Sequence, residues 1–137
     1  MKTESLIETW FNFSKYYNRI TNAINYTLKD QFELDIKEFT LLYTLSEADE
    51  KKLRLQELHS KIDLSLSALS RMVSRLQNYK DGELVSRITY PEDKRSAYIV
   101  LSETGEELLK SMLKTIDEAL HKSLLPKDIS NIVQLLK

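Results

Sequence analysis

The hydrophobic period of the sequence changes once, near residue 84, and this change constrains the fold more than any other feature. Before it, apolar residues recur at the three- and four-residue spacings of helices. Over Val85–Tyr90 and Ser96–Leu101, β-branched and aromatic residues alternate with polar ones, which indicates two strands. After residue 102 the helical spacing returns. The sequence therefore predicts a mainly α-helical chain with a small β-hairpin.

Composition supports a small, mostly helical protein. The 137 residues include only two glycines and two prolines, and no cysteine, so disulfides and thiolate metal sites are excluded. No apolar run approaches the ~20 residues that a membrane span needs. The N-terminus lacks the charged-then-apolar layout of a signal peptide. We expect one cytoplasmic domain over residues 1–137, with no membrane partner.

The first helix is predicted over about Ser5–Gln31 and carries one continuous apolar stripe. Its spacing keeps the stripe in line along the helix, as in a coiled-coil seam. The stripe consists of Leu6, Trp10, Phe13, Tyr17, Ile20 and Ile24. At ~27 residues this helix is long for so small a chain, since the mean is about 11–12. We therefore expect it to pack against a second chain.

Capping signals predict the next helices. Asp35 and Glu38 form a capping box at the start of a second helix. A short helix follows over Leu55–Ile62, and Ser65 caps another from about Leu66 to Tyr79. The side chains expected to face inward in the second helix are Ile36, Phe39, Leu42, Tyr43 and Leu45. Those expected in the Ser65-capped helix are Leu66, Leu69, Met72 or Val73, and Leu76.

A hairpin and two further helical segments complete the predicted fold. The charged, turn-rich segment Pro91–Arg95 separates the two strands as a loop. Ser102 is expected to cap the next helix. Pro126 either stops that helix or opens a last one. Two short helices followed by a two-stranded ribbon describe a winged helix-turn-helix, in which one helix enters the major groove of DNA.

The charge distribution points to the same segment. Residues 51–101 hold ten basic and six acidic side chains, whereas the whole chain has a net charge of −1. No acidic residue lies between Asp63 and Asp81, while Arg71 and Arg75 lie one helical turn apart. The same segment carries four serines, Ser65, Ser67, Ser70 and Ser74. Their hydroxyl groups and the arginine guanidinium groups are suited to phosphate oxygens, and arginine also hydrogen-bonds to the edge of guanine. The alternative is a solvated, serine-rich surface, although serine is an indifferent helix former.

Several stretches of the sequence resemble the multiple-antibiotic-resistance regulator (MarR) family of bacterial transcription factors. The most specific is the wing, which in the family typically reads Asp-x-Arg, three residues, an aliphatic residue, one further residue, Leu, then Thr or Ser, with a Gly three positions on. The positions that match are Asp93, Arg95, Ile99, Leu101, Ser102 and Gly105. Similar matches occur at Leu55–Leu58, Ser65–Leu76 and Leu84–Arg87. The sequence departs from the family pattern at Leu66, where Pro is frequent, and at Ala68, where Thr is frequent.

The resemblance implies a homodimer that binds a pseudo-palindromic operator in double-stranded DNA, as a transcriptional repressor. Residues 35–102 would form the DNA-binding winged helix-turn-helix, and residues 1–34 and 103–137 the dimerisation helices. Arg95 would enter the minor groove, and Asp93 would hold it in position. The predicted DNA-binding residues are Ser65, Ser67, Ala68, Ser70, Arg71, Ser74, Arg75, Arg87, Lys94 and Arg95.

The resemblance also implies a small aromatic or amphipathic effector, bound in a crevice between the dimer helices and the winged helix. Trp10, Phe13, Tyr17 and Tyr43 are the candidate ligand-binding residues, although the same aromatic stripe is also what a dimer core requires.

DNA binding has two alternatives, a protein-binding module and an enzyme. A winged-helix module that binds proteins rather than DNA is the main alternative. Enzymatic activity is not expected, because His59 and His121 are isolated and no glycine-rich phosphate loop is present. Neither a metal nor another cofactor is expected.

Overall fold

The computed structural model describes residues 5–136, except for the side chains of residues 93–96. The elements in chain order are α1 (Leu6–Phe32), α2 (Ile36–Ser46), β1 (Lys52–Arg54), α3 (Leu55–Lys61), α4 (Leu66–Gln77), β2 (Val85–Tyr90), β3 (Asp93–Leu101), α5 (Glu103–Ser123) and α6 (Pro126–Leu136). A short 3-10 turn, Asp49–Lys51, precedes β1. None of the helices within residues 5–136 is long and apolar enough to cross a membrane.

The described residues form two compact units, one of residues 34–112 and one of residues 5–33 with 113–136. The first contains an antiparallel sheet with strand order β1-β3-β2, against which α2, α3 and α4 pack. Its core is made of fully buried aliphatic side chains. They include Leu41, Leu42, Leu45, Leu58, Leu69, Val73, Leu76, Leu84, Val85, Ile99 and Met112. Burying this many aliphatic groups is the main favourable free-energy term for the unit.

The capping predictions are confirmed. Asp35 Oδ1 accepts a hydrogen bond from Glu38 N at 2.8 Å, and Glu38 Oε1 accepts one from Asp35 N at 3.1 Å. Ser102 Oγ likewise accepts from Gly105 N at 2.9 Å at the start of α5. Of the two alternatives for Pro126, the structure has it opening α6.

Three predictions about this unit are wrong. Tyr43 does not face inward and is 43% exposed, because Leu41, Leu42 and Leu45 take the buried face of α2. Leu66 is 47% exposed, because the buried stripe of α4 begins one turn later, at Leu69. The segment 91–95 is not one loop, since β3 already begins at Asp93 and pairs with Tyr90 around a two-residue turn.

The unit of residues 5–33 and 113–136 contains α1, α6 and the C-terminal part of α5. Arg19 of α1 and Asp128 of α6 form an ion pair at 3.4 Å. The N-terminal half of α1 leaves its apolar stripe in solvent: Leu6 is 86% exposed and Trp10 is 55% exposed. Apolar residues at the end of α6, among them Val133 and Leu136, are exposed as well.

Candidate nucleic-acid interface

Helices α3 and α4 form a helix-turn-helix. The connection between them is tight: Leu64 N donates a hydrogen bond to Ile62 O at 2.9 Å. Helix α4 buries Leu69, Met72, Val73 and Leu76 against the core. Its opposite face lies in solvent, and we call α4 the recognition helix because it occupies the position of the groove-binding helix in such motifs.

Two exposed serines mark the N-terminus of the recognition helix. Ser65 Oγ accepts a hydrogen bond from Ala68 N at 3.1 Å and lies 3.3 Å from Ser67 Oγ. Ala68 itself is partly buried. In helix-turn-helix proteins the N-terminal residues of this helix contact base edges. Ser65 and Ser67 therefore combine a helix cap with hydroxyls placed where DNA would approach.

Arg71 of the recognition helix has no partner within the described part of the chain. Its side chain is exposed, and within the described part of the chain it makes no hydrogen bond or ion pair. None of the described residues therefore occupies its guanidinium donors, which are suited to a phosphate or to the O6 and N7 atoms of guanine.

Arg75 differs from Arg71 because it has a partner within the protein. Its Nε lies 3.7 Å from Oε2 of Glu38, while the other carboxylate oxygen of Glu38 serves the capping box of α2. Glu38 is buried, and this burial is the main cause that raises the pKa of its carboxyl. About half of the Arg75 side chain is still exposed. Arg75 thus links the recognition helix to α2 while part of its side chain stays accessible.

Arg87 of β2 contacts the recognition helix. Its Nη2 donates to Ser70 O at 2.7 Å and to Ser70 Oγ at 3.1 Å, and it lies 3.4 Å from Ser74 Oγ. Ser74 Oγ also donates to Ser70 O at 3.2 Å. Ser70, Ser74 and Arg87 were predicted as DNA contacts from the sequence, and the structure brings them together with one another.

The wing consists of β2, β3 and the turn Pro91–Glu92. Its regular register runs from Val85↔Leu101 to Ile88↔Tyr98 and then shifts before Tyr90↔Asp93, so the strands are irregular near the tip. The side chains of the predicted tip residues Asp93, Lys94 and Arg95 lie outside the described part of the structure. Their roles remain predictions from the sequence.

Strand β1 and the role of its cationic residues were not predicted from the sequence. Lys52 Nζ lies 5.1 Å from the centre of the Tyr90 ring and 5.2 Å from that of Tyr98, and Arg54 Cζ lies 4.9 Å from the Tyr98 ring. All three distances are typical of cation–π contacts. The two tyrosine rings pack edge to face at 5.3 Å. A three-residue strand is too short to show a period, so only its two cations in a basic segment signalled it.

The four candidate effector residues belong to two units. Trp10, Phe13 and Tyr17 lie on α1, where the Phe13 and Tyr17 rings stack at 6.1 Å. Tyr43 lies on α2 and borders an open groove with Glu47 and other polar residues. Among residues 5–136, leaving out the undescribed side chains of 93–96, no group of three or more His, Asp or Glu residues is placed to hold a metal ion.

Comparison with protein families relates residues 23–112 to transcriptional regulators. The family model described as transcriptional regulator SarA/Rot matches residues 23–112, which include α2–α4 and the whole sheet. YpoP of Bacillus subtilis (strain 168), an uncharacterized HTH-type transcriptional regulator, is 30% identical over 110 residues, or 80% of this chain and 73% of YpoP.

Solved structures show the same fold. AbsC, a MarR family transcriptional regulator from Streptomyces coelicolor, has a TM-score of 0.73 and 23% identity, with 100% of this chain and 93% of AbsC covered. Sco3205, a MarR family regulator from the same organism solved in complex with DNA, has a TM-score of 0.68 and 22% identity. That match covers 99% of this chain and 87% of Sco3205. These likenesses confirm the predicted winged-helix fold.

Proposed function

The chain belongs to the SarA/Rot family of transcriptional regulators and is a DNA-binding regulator, and we propose that it acts as a homodimeric repressor. In this proposal each protomer places its recognition helix in the major groove of one half of a pseudo-palindromic operator. Occupancy of the operator then excludes other proteins from the same DNA. The reading of residues 1–137 as one MarR-type domain, with dimerisation helices at 1–34 and 103–137, is part of the proposal.

The observation that carries the proposal is the exposed face of the recognition helix. It presents Ser65, Ser67 and Arg71 in a stretch without acidic residues, and Arg71 has no ion-pair partner among the described side chains. A purely structural helix has no need of exposed serines, which lower helix propensity, nor of a guanidinium group without an acidic partner. Phosphate oxygens and guanine edges supply acceptors for these donors.

The homodimer is supported by the exposed apolar stripe of α1. Leu6, Trp10, Phe13 and Tyr17 are all exposed in the single chain, at the spacing of a helical seam. A contiguous apolar surface of this kind marks an interaction site. A second copy of α1 is the partner with the matching stripe, and it would place two recognition helices on one DNA.

The remaining features of the proposal are release and location. We propose that an aromatic or amphipathic effector contacts Trp10, Phe13, Tyr17 or Tyr43 and lowers the affinity for DNA. Titrating phenolic compounds into the protein–operator complex tests this point, and an affinity unchanged by every compound would contradict it. Because a transcriptional regulator acts on the genome, we propose a cytoplasmic location.

The alternative, a winged-helix module that binds only proteins, is not favoured, since the matching family and YpoP are transcriptional regulators. The proteins that the chain resembles are regulators rather than enzymes, and we propose no enzymatic role.

Selection of bound sequences from random double-stranded DNA tests the proposed function. We expect enrichment of an inverted repeat whose half-sites lie about 10–10.5 base pairs apart, or a multiple of that distance, as the geometry of a symmetric dimer requires. Enrichment of a single, unrepeated half-site would contradict the dimer. No enrichment by the folded protein would contradict sequence-specific binding.

A further inference from the structure

Arg87 lies on the face of β2 that is turned toward the recognition helix. Along the strand, residues alternate between two faces, so Arg87 shares its face with Val85, which is fully buried. Helix α4 packs against this strand. The side chain of Arg87 is exposed and reaches the helix, since its Nη2 donates a hydrogen bond to Ser70 O.

The contacts of Arg87 join the middle of the recognition helix to the base of the wing. A single nitrogen, Nη2, is within hydrogen-bond distance of Ser70 O (2.7 Å), Ser70 Oγ (3.1 Å) and Ser74 Oγ (3.4 Å). A guanidinium donor makes charge-assisted hydrogen bonds, which are shorter and stronger than neutral ones. The group is also planar, so its contacts restrain direction as well as distance.

Resting on the proposed function, we infer that Arg87 is a positioning residue that sets the recognition helix relative to the wing, and that its role in DNA binding is exerted through Ser70 and Ser74. The two elements must meet different parts of one duplex at the same time. If the recognition helix and the wing are displaced relative to each other, contacts with DNA are lost even though each element keeps its own structure.

Arg71 and Arg87 have different roles on this surface. Arg71 has no partner within the described residues, so it is available to DNA. Arg87 donates a hydrogen bond to the backbone of the helix at Ser70. The hydroxyls of Ser70 and Ser74, both predicted to bind DNA, also lie within hydrogen-bond distance of Arg87. A direct phosphate contact by the remaining nitrogens of Arg87 is the rival reading, and it makes a different prediction.

Neutral phosphates distinguish the two readings. Using the duplex that the selection yields, single methylphosphonate groups are introduced in turn along each strand, and affinities are measured for the wild type and Arg87→Gln. We expect Arg87→Gln to weaken binding about tenfold, and this ratio to persist at every neutral position, because no one phosphate is its partner. A single neutral phosphate that abolishes the ratio would overturn the proposal, as would wild-type affinity of Arg87→Gln.

A mutant cycle supplies the second readout. In a Ser70→Ala/Ser74→Ala background the effect of Arg87→Gln should shrink several-fold, whereas additive losses would overturn the proposal. Arg71→Gln is the matched control, because it removes the same charge from the same surface. Its effect should be unchanged in the Ser70→Ala/Ser74→Ala background. Circular dichroism and thermal unfolding of each variant confirm that it is folded. If the wild type binds no duplex, the proposed function fails, whereas the other adverse outcomes leave it standing.

Discussion

Nε of Arg75 lies 3.7 Å from Oε2 of Glu38, a buried carboxylate whose other oxygen completes the capping box of α2. The Glu38 side chain thereby has two roles, since it caps α2 and forms an ion pair with Arg75 of the recognition helix. Burial raises the pKa of Glu38 above its ordinary value of 4.5 despite the nearby guanidinium group. The desolvation of the charged carboxylate thus outweighs its attraction to Arg75.

This shift predicts how the stability of the protein depends on pH. Because the pKa of Glu38 is raised in the folded state, the folded chain binds the proton more tightly than the unfolded chain. Its contribution to the free energy of unfolding is therefore full below the unfolded pKa and is lost as the pH rises through the folded pKa. Glu38→Gln keeps an acceptor for Asp35 N but does not titrate.

Urea denaturation of the wild type and Glu38→Gln across a pH series measures this effect. The free energy of unfolding of the wild type, relative to that of the variant, should fall as the pH rises from 4.5 and then become constant. Parallel curves over the whole carboxyl range would show that Glu38 is not perturbed by burial.

Arg71→Ala should weaken operator binding and relax sequence preference. A bidentate contact between arginine and guanine discriminates by about 1–3 kcal/mol, and a lost phosphate contact reduces the salt slope by about one. Binding isotherms with the selected duplex and with single-base variants, at several salt concentrations, measure both effects. Lys110→Ala, which removes an exposed cation from α5, is the control and should bind as the wild type does. An Arg71→Ala variant with unchanged affinity and preference would remove Arg71 from the interface.

Trp10→Glu and Phe13→Glu should convert the dimer to a monomer. Both side chains belong to the exposed stripe of α1, and a charge there would be buried without a partner on association. Sedimentation equilibrium gives the mass, and DNA binding should fall to that of a single half-site. Tyr26→Glu is the matched control, because Tyr26 is 72% exposed on the same helix but lies off the stripe. Dimers that survive both stripe substitutions would show that the interface lies elsewhere.

Gly105→Ala should destabilise the winged-helix unit by about 1–3 kcal/mol, as overpacking does. A Cβ atom at this position would lie 2.2 Å from Leu84 O and 2.8 Å from Leu101 Cδ1, and the first of these is backbone that cannot easily move. Chemical denaturation measures the loss, with Glu107→Ala at an exposed position of the same helix as the control. Equal stability of Gly105→Ala and the wild type would contradict the close approach of α5 to the backbone at Leu84, just before β2.

The sequence predicted the features that depend on neighbours along the chain. The caps formed by Asp35, Ser65 and Ser102 and the change of period at β2 all rest on local chemistry, and the structure contains each of them. What it did not predict depends on contacts across the fold. Strand β1 exists because Lys52–Arg54 pairs with β3, which three residues cannot signal by themselves.

The predicted DNA-binding residues show the same limit. Arg71, Arg75 and Arg87 are equivalent in the sequence, since all three are cations in one basic segment. Only the fold distinguishes them, because it brings Glu38 to Arg75 and the Ser70 carbonyl to Arg87 and leaves Arg71 without a partner among the described residues. The exposure of Leu66 is a further example, since its helical spacing matched the buried stripe but its position precedes the core contact.

The salt dependence of binding to the selected duplex tests the central claim most directly. If the recognition helix and wing contact the DNA backbone, the logarithm of the affinity should fall linearly with the logarithm of the salt concentration, with a slope of about −0.9 for each phosphate neutralised. A dimer that makes several such contacts should therefore bind tightly at low salt and lose orders of magnitude at high salt. No binding at low salt, or an affinity that does not change with salt, would contradict the account.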